Sequence, residues 1–185
     1  WDIKGKRANM PVYQLLGGKS RFAVDTYSHA SGRDFQQLED SVKSKMEQGF
    51  RHVRIQLGGY GAGHLSTGES FKNAGFGLPG DSRMDSLPYL KAIPKMFDHI
   101  RSACGEDIEL LHDIHERIEP IEAVRLLKEL EQYRPFFIED PLAPESNDFF
   151  TYLRQQTSVP IAMGELFNNP HEWVDLITRR LIDFI

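Results

Sequence analysis

Cysteine, long apolar runs and an excess of positive charge are scarce or absent in this chain. Its 185 residues include one cysteine, Cys104, which excludes an internal disulfide framework and cysteine-based zinc motifs. No apolar run approaches the roughly 20 residues that a bilayer-spanning helix needs. Lysine and arginine number 22 against 27 acidic residues, and the basic residues form no stripe. We therefore expect neither nucleic acid nor a membrane as a partner.

The residues that are present have the proportions of an ordinary globular protein. Hydrophobic residues make up 40% and charged residues 26% of the chain, with a net charge of −5. A cytoplasmic location fits this composition and the single cysteine.

From Phe22 onward, strand-like and helix-like segments alternate. Residues 1–21 are predicted to hold a helix that a pair of glycines, Gly17 and Gly18, brings to an end. A second helix is predicted over 34–49, with Asp34 as its N-cap. The segment 58–82 carries eight of the fifteen glycines and is predicted to be a lid-like loop or a disordered segment. Six strands are predicted, with the sequences FAVDTYS, HVRIQL, IELLHDI, FFIED, VPIAMG and LIDFI.

Alternating strands and helices indicate an α/β fold with a parallel sheet. An open doubly wound sheet and a (β/α)₈ barrel both fit this order. We favour the TIM-type barrel because no glycine-rich phosphate turn follows the first strand, and polar residues end strand after strand. A full barrel takes roughly 250 residues. We therefore expect a partial barrel, with residues 22–185 supplying six of the eight strands in a fragment cropped at both ends.

Three acidic residues stand at matching points of three successive strand-like segments. Asp113, Glu139 and Glu165 are separated by 26 residues each time, about the length of one strand, one helix and two loops. Each follows a short apolar run, so each falls where a strand ends. Carboxylates at the carboxyl ends of adjacent parallel strands converge, and hard oxygen ligands suit Mg²⁺. The sequence predicts a magnesium site made by these acids.

Other polar residues fall near the same predicted edge. His115 follows Asp113 by two residues, which in a strand places both side chains on one face. It could act there as a general acid or base, or as a fourth metal ligand. Arg54 is suited to a substrate carboxylate or to pairing with a neighbouring acid. His29, placed after the first strand, is a candidate for substrate binding or a solvated loop residue, and His112 is predicted to face a helix.

Tyr60 lies in the glycine-rich segment and is a candidate base. The free pKa of tyrosine, near 10, is too high for this role at neutral pH. A nearby cation such as Arg54 would have to lower the pKa of Tyr60.

Several motifs resemble one superfamily. WDIKGK followed by PVYQLLGG resembles the stretch that links the capping domain to the barrel in the enolase superfamily, mandelate-racemase branch. Asp113, Glu139 and Glu165 match that superfamily's three metal-binding acids. The Asp-Ile-His triplet at 113–115 and the SHASG segment are similar to the sugar-acid dehydratases of that branch, the mannonate dehydratases and starvation-sensing relatives among them. The resemblance implies that residues 1–21 lead from a capping domain, mostly absent from this chain, into the barrel.

The resemblance also implies an activity. The expected reaction is an Mg²⁺-dependent dehydration of a sugar acid such as mannonate or gluconate. An α-proton is removed, a metal-stabilised enediolate forms, and loss of the 3-hydroxyl yields a 2-keto-3-deoxy acid. His115 would protonate the leaving hydroxyl, Arg54 would partner the base Tyr60, and His29 would contact substrate. A homo-oligomer is implied as well.

One departure from the family pattern keeps two alternatives open. Tyr60 follows Arg54 by only six residues, in LGGYGAG, where the family has its tyrosine further on. A catalytically weak protein that binds sugar acids, or regulates through them, is one alternative. An epimerase of acid sugars, which would exchange the C2 proton without releasing water, is the other.

Overall fold

The computed structural model describes residues 1–58 and 86–185 of the chain. The α-helices within these ranges are α1 (Asp2–Ala8), α2 (Val12–Leu15), α3 (Phe35–Glu47), α4 (Ser86–Cys104), α5 (Pro120–Leu130), α6 (Phe150–Gln156) and α7 (Pro170–Thr178). The strands are β1 (Tyr27–Gly32), β2 (His52–Leu57), β3 (Glu109–Asp113), β4 (Phe137–Glu139) and β5 (Ile161–Ala162). Short 3₁₀ helices cover Glu131–Tyr133 and Pro144–Phe149.

The five strands form one parallel sheet in the order β1-β2-β3-β4-β5. Every neighbouring pair is parallel, which requires a crossover after each strand. The predicted α/β fold with a parallel sheet is therefore confirmed. The sixth predicted strand, 181–185, does not form a full strand. It contributes one isolated parallel bridge, between Phe184 and Ala162.

The first strand begins later than predicted. The sequence indicated residues 22–28, whereas β1 runs from Tyr27 to Gly32. Pairing explains the difference, since β1 matches β2 residue for residue, from Tyr27 opposite His52 to Gly32 opposite Leu57. Phe22 is 93% exposed, so its side chain gains none of the burial that favours a strand. The prediction that His29 follows the strand is thus wrong, and His29 lies within it.

Local signals place the helix ends well. Asp34 accepts a hydrogen bond from the backbone amide of Gln37 at 2.8 Å, which confirms the predicted N-cap of α3. Helix α2 ends at Leu15, ahead of Gly17 and Gly18, whose φ angles are 115° and 100°. The glycine stop is therefore confirmed, whereas α1 was not predicted from the sequence.

The two faces of the sheet bury different clusters. The face toward the helices forms the main hydrophobic core, in which strand residues Val53, Ile55, Leu110, Ile138 and Ile161 pack with helix residues such as Leu38, Val42, Phe97 and Leu127. The opposite face carries a smaller cluster of Leu111, Phe137 and Ala162, with Phe136 against it. Arg54 lies level with Leu111 on this second face, and Asp113 and Glu139 follow two residues further toward the carboxyl edge.

Among the described helices, none combines the length and the apolar character that crossing a bilayer requires.

Candidate metal centre

The predicted acids lie at the carboxyl edge of the sheet. Asp113 is the last residue of β3 and Glu139 the last of β4, and the two are partners in the strand register. Glu165 follows the end of β5 at Ala162, after Gly164 with a φ of 140°. The equal spacing in the sequence therefore becomes adjacency in space, because each parallel strand returns to the same edge.

Arg54 is a buried cation between two of these acids. Its Nη1 donates a hydrogen bond to Oδ2 of Asp113 at 2.9 Å and lies 4.0 Å from Oε2 of Glu139. Arg54 is 9% exposed and Asp113 is 1% exposed. Of the two interpretations of Arg54, pairing with a neighbouring acid is the one that this geometry displays.

His115 lies beside the acids, but not because of strand alternation as the sequence predicted. Strand β3 ends at Asp113, and His115 and Glu116 both have left-handed backbones, with φ angles of 57° and 58°. The alternation of a strand therefore does not explain its position. The turn nevertheless puts Nδ1 of His115 3.4 Å from Oδ2 of Asp113 and 3.0 Å from Oε1 of Glu165.

Asp140 is a member of the cluster that the sequence argument missed. Its carboxylate oxygen lies within 4.8 Å of ligand atoms of Asp113 and His115, and likewise of Glu139 and Glu165. The cluster thus consists of two overlapping groups that share Asp140. Side-chain alternation along a strand would have turned Asp140 away from Glu139. The adjacent acids Glu139 and Asp140 at a strand end were the available signal.

Burial, together with neighbouring negative charge, raises the pKa of three acids in this region. Burial, followed by the charge of Asp113, raises the pKa of Glu139, while Arg54 acts in the opposite direction. Burial, followed by the charges of Asp113 and Glu139, raises the pKa of Asp140 to about 7. Burial also raises the pKa of Glu116. One arginine therefore does not balance the acids around it.

The donor set fits a divalent cation. Oε2 of Glu139 and Oδ2 of Asp140 are buried, and neither accepts a hydrogen bond from the residues that the structure describes. A buried carboxylate oxygen without a donor costs free energy, which a bound cation would offset. Carboxylates are the hard oxygen ligands that Mg²⁺ prefers. The imidazole of His115 at the rim adds a nitrogen donor to the group.

His29 and Tyr60 complete the predicted site residues. His29 pairs with Arg54 in the strand register and stacks on Tyr27, with ring centroids 5.5 Å apart. Burial, followed by the charge of Arg54, lowers the pKa of His29. Its ring is exposed, so it remains available to a ligand. Tyr60 lies outside the described residues, and its role as a base stays a prediction.

A parallel βα unit repeated along the chain, with acids closing successive strands, defines a barrel-type α/β domain with a candidate metal centre. The profile of the enolase C-terminal domain-like family matches residues 37–185. The chain belongs to this family. The predicted (β/α)₈-type fold and the resemblance to the enolase superfamily are thereby confirmed.

Individual relatives agree with this family. A D-galactonate dehydratase family member from Pantoea ananatis is 46% identical over 197 residues, covering 100% of this chain and 47% of the relative. A D-mannonate dehydratase from Rhizorhabdus wittichii is 44% identical over 189 residues, covering 100% of this chain and 47% of the relative. The chain spans about half the length of the curated relatives it matches.

Solved structures show the same likeness. An enolase from Pantoea ananatis with bound D-gluconate and Mg superposes with a TM-score of 0.83 at 47% identity, over 99% of this chain and 47% of that one. An enolase of the mandelate racemase subgroup from Agrobacterium tumefaciens gives a TM-score of 0.73 at 26% identity, over 100% of this chain and 45% of that one.

Proposed function

We propose that this chain is the barrel part of an Mg²⁺-dependent dehydratase of sugar acids, with gluconate and mannonate as the first substrates to examine. The observation that carries the proposal is the convergence of acids from β3, β4 and the segment after β5 with Arg54 and His115 at one edge of the sheet. The dehydratase names of the relatives and the D-gluconate and Mg in one similar structure support the same chemistry.

Asp113, Glu139 and Glu165 are the proposed ligands of the ion. When bound, Mg²⁺ would supply positive charge to the carboxylate of the sugar acid while its α-proton is removed. Asp113 and Glu139 end neighbouring strands, so the strand register sets their separation, and Glu165 comes from the segment after β5. Arg54 lies beside two of them, and its hydrogen bond to Asp113 holds that carboxylate in a fixed orientation.

His115 is the proposed acid for the leaving group. Loss of the 3-hydroxyl as water requires a proton on that oxygen, and an imidazole can donate one near neutral pH. The contacts of Nδ1 with Asp113 and Glu165 orient the ring. Because Nδ1 faces these carboxylates, Nε2 of His115 is the proposed donor of the proton to the leaving hydroxyl.

Removal of the α-proton needs a base, for which Tyr60 is the proposed residue. Arg54 would favour the phenolate form if the two side chains approach each other. His29, an exposed residue within β1 that is paired with Arg54 in the strand register, is proposed to contact the substrate.

The remaining proposals concern the whole protein. We propose that residues 1–21 link a capping domain to the barrel of residues 22–185, and that the protein is a homo-oligomer. Its proposed partner is a small-molecule sugar acid rather than nucleic acid or a membrane.

Turnover by the full-length protein tests the proposal. Purified protein with Mg²⁺ is incubated with D-gluconate, D-mannonate and D-galactonate, and 2-keto-3-deoxy products are measured by chromatography and mass spectrometry. Formation of a keto acid that Glu139→Gln abolishes is the expected result. A second incubation in deuterated water monitors exchange at C2. Exchange without dehydration indicates an epimerase, and the absence of both reactions across a wide panel of sugar acids would reject the proposed function.

A further inference from the structure

Asp140 is a fourth acid at the carboxyl edge of the sheet, and the roles proposed above leave it without a function. It directly follows Glu139, the last residue of β4. A fully extended backbone would turn the two side chains to opposite faces. Asp140 has a φ of 43° instead, and its carboxylate lies within 4.8 Å of the ligand atoms of Glu139 and Glu165.

The burial of Asp140 is the second observation. Asp140 is only 1% exposed, and its Oδ2 accepts no hydrogen bond from residues 1–58 or 86–185. A buried carboxylate oxygen of this kind is unfavourable unless positive charge lies close to it. Asp140 also shares a group with Asp113 and His115. Asp140 therefore belongs to both groups of possible ligand atoms.

A purely local explanation of Asp140 exists and makes a different prediction. Aspartate and asparagine are the non-glycine residues that best tolerate a left-handed backbone. If backbone shape were the whole reason for Asp140, asparagine would serve equally well. The charge of the carboxylate is thus the property that separates the two explanations.

We propose that Asp140 is a fourth carboxylate of the metal centre and that its negative charge strengthens the binding of Mg²⁺. The inference rests on the proposed function, because it places the ion among the same acids. The role assigned to Asp140 concerns affinity for the cation, and this affinity can be measured without any substrate.

Calorimetric titration of the full-length protein with Mg²⁺ alone tests this role. The proteins compared are wild type, Asp140→Asn, Glu139→Gln and, as a matched control, Asp98→Asn on the exposed face of α4. Even outer partners of metal ligands contribute about 10- to 100-fold to affinity. Asp140→Asn is expected to weaken Mg²⁺ binding by at least about 10-fold, and the control is expected to bind as wild type does.

The outcomes separate this inference from the proposed function. Wild-type affinity in Asp140→Asn, with weakened binding in Glu139→Gln, overturns the role of Asp140 and leaves the metal centre in place. Wild-type affinity in Glu139→Gln overturns the metal centre and the proposed function together. Circular dichroism in EDTA checks that each variant folds. Should Asp140→Asn not fold, Asp140→Gly, which also accepts a positive φ, is measured with the same expectations.

Discussion

Protonation of His112 is expected to destabilise the sheet beside the metal centre. His112 is fully buried in β3, with Nδ1 2.9 Å from the carbonyl oxygen of Ile55 and Nε2 2.7 Å from the hydroxyl of Tyr89. A carbonyl only accepts, so Nδ1 carries the proton, and the neutral ring accepts from the tyrosine. The imidazole thereby joins β2, β3 and α4 next to Arg54 and Asp113, as the predicted orientation toward a helix required.

The size of the effect follows from the pKa. Burial lowers the pKa of His112 from 6.5 to about 4. Between these two values the folded state binds fewer protons than the unfolded state, so the free energy of unfolding falls as the pH falls. The stabilisation is fully present above pH 6.5 and is lost toward pH 4. At about 1.4 kcal/mol per pH unit, the full loss is about 3 kcal/mol, of which about 2 kcal/mol falls between pH 7 and pH 5.

Urea unfolding of the full-length protein in EDTA measures this loss. Wild type and His112→Gln are compared at pH 7 and pH 5, and the difference between their pH dependences isolates His112 from the acids of the centre. We expect wild type to lose about 2 kcal/mol more than the variant. An equal pH dependence in the two proteins would refute the reasoning.

Tyr89 provides an independent check at constant pH. Tyr89→Phe leaves Nε2 of His112 buried without its donor, at a cost of about 1–3 kcal/mol. Tyr152→Phe is the matched control, because Tyr152 is 42% exposed, and its effect should stay within about 0.5 kcal/mol. Equal effects of the two substitutions would contradict the assigned hydrogen bond.

Three further outcomes are expected. Mg²⁺ at 100 times its dissociation constant should stabilise the full-length protein by about 2.7 kcal/mol over EDTA, and an unchanged melting temperature would argue against the centre. His115→Asn should keep Mg²⁺ affinity and lose dehydration, whereas a large fall in affinity would make His115 a ligand. Gly32→Ala should destabilise the protein by about 1–3 kcal/mol, because the added Cβ would lie 2.3 Å from the backbone nitrogen of Leu38. Wild-type stability of this variant in a urea titration would contradict this packing.

The sequence alone was sufficient for the elements with strong local signals. Strand β2, the capped helix α3 and the glycine stop after α2 depend on residues next to each other in the chain, so periodicity and capping chemistry identify them. The even 26-residue spacing of Asp113, Glu139 and Glu165 likewise predicted that they lie at one edge of the sheet, since one βα unit advances the chain by one strand along the same edge.

Tertiary structure decided what depends on partners far away in the chain. The start of β1 is set by pairing with β2, and the segment at 181–185 forms a single bridge where the sequence predicted a strand. His115 and Asp140 reach the centre through left-handed backbones, with φ angles of 57° and 43°. A strand alternation rule cannot anticipate such turns, because they are stabilised by contacts with neighbouring strands. The position of the Asp140 side chain among the other acids was therefore decided by the folded chain.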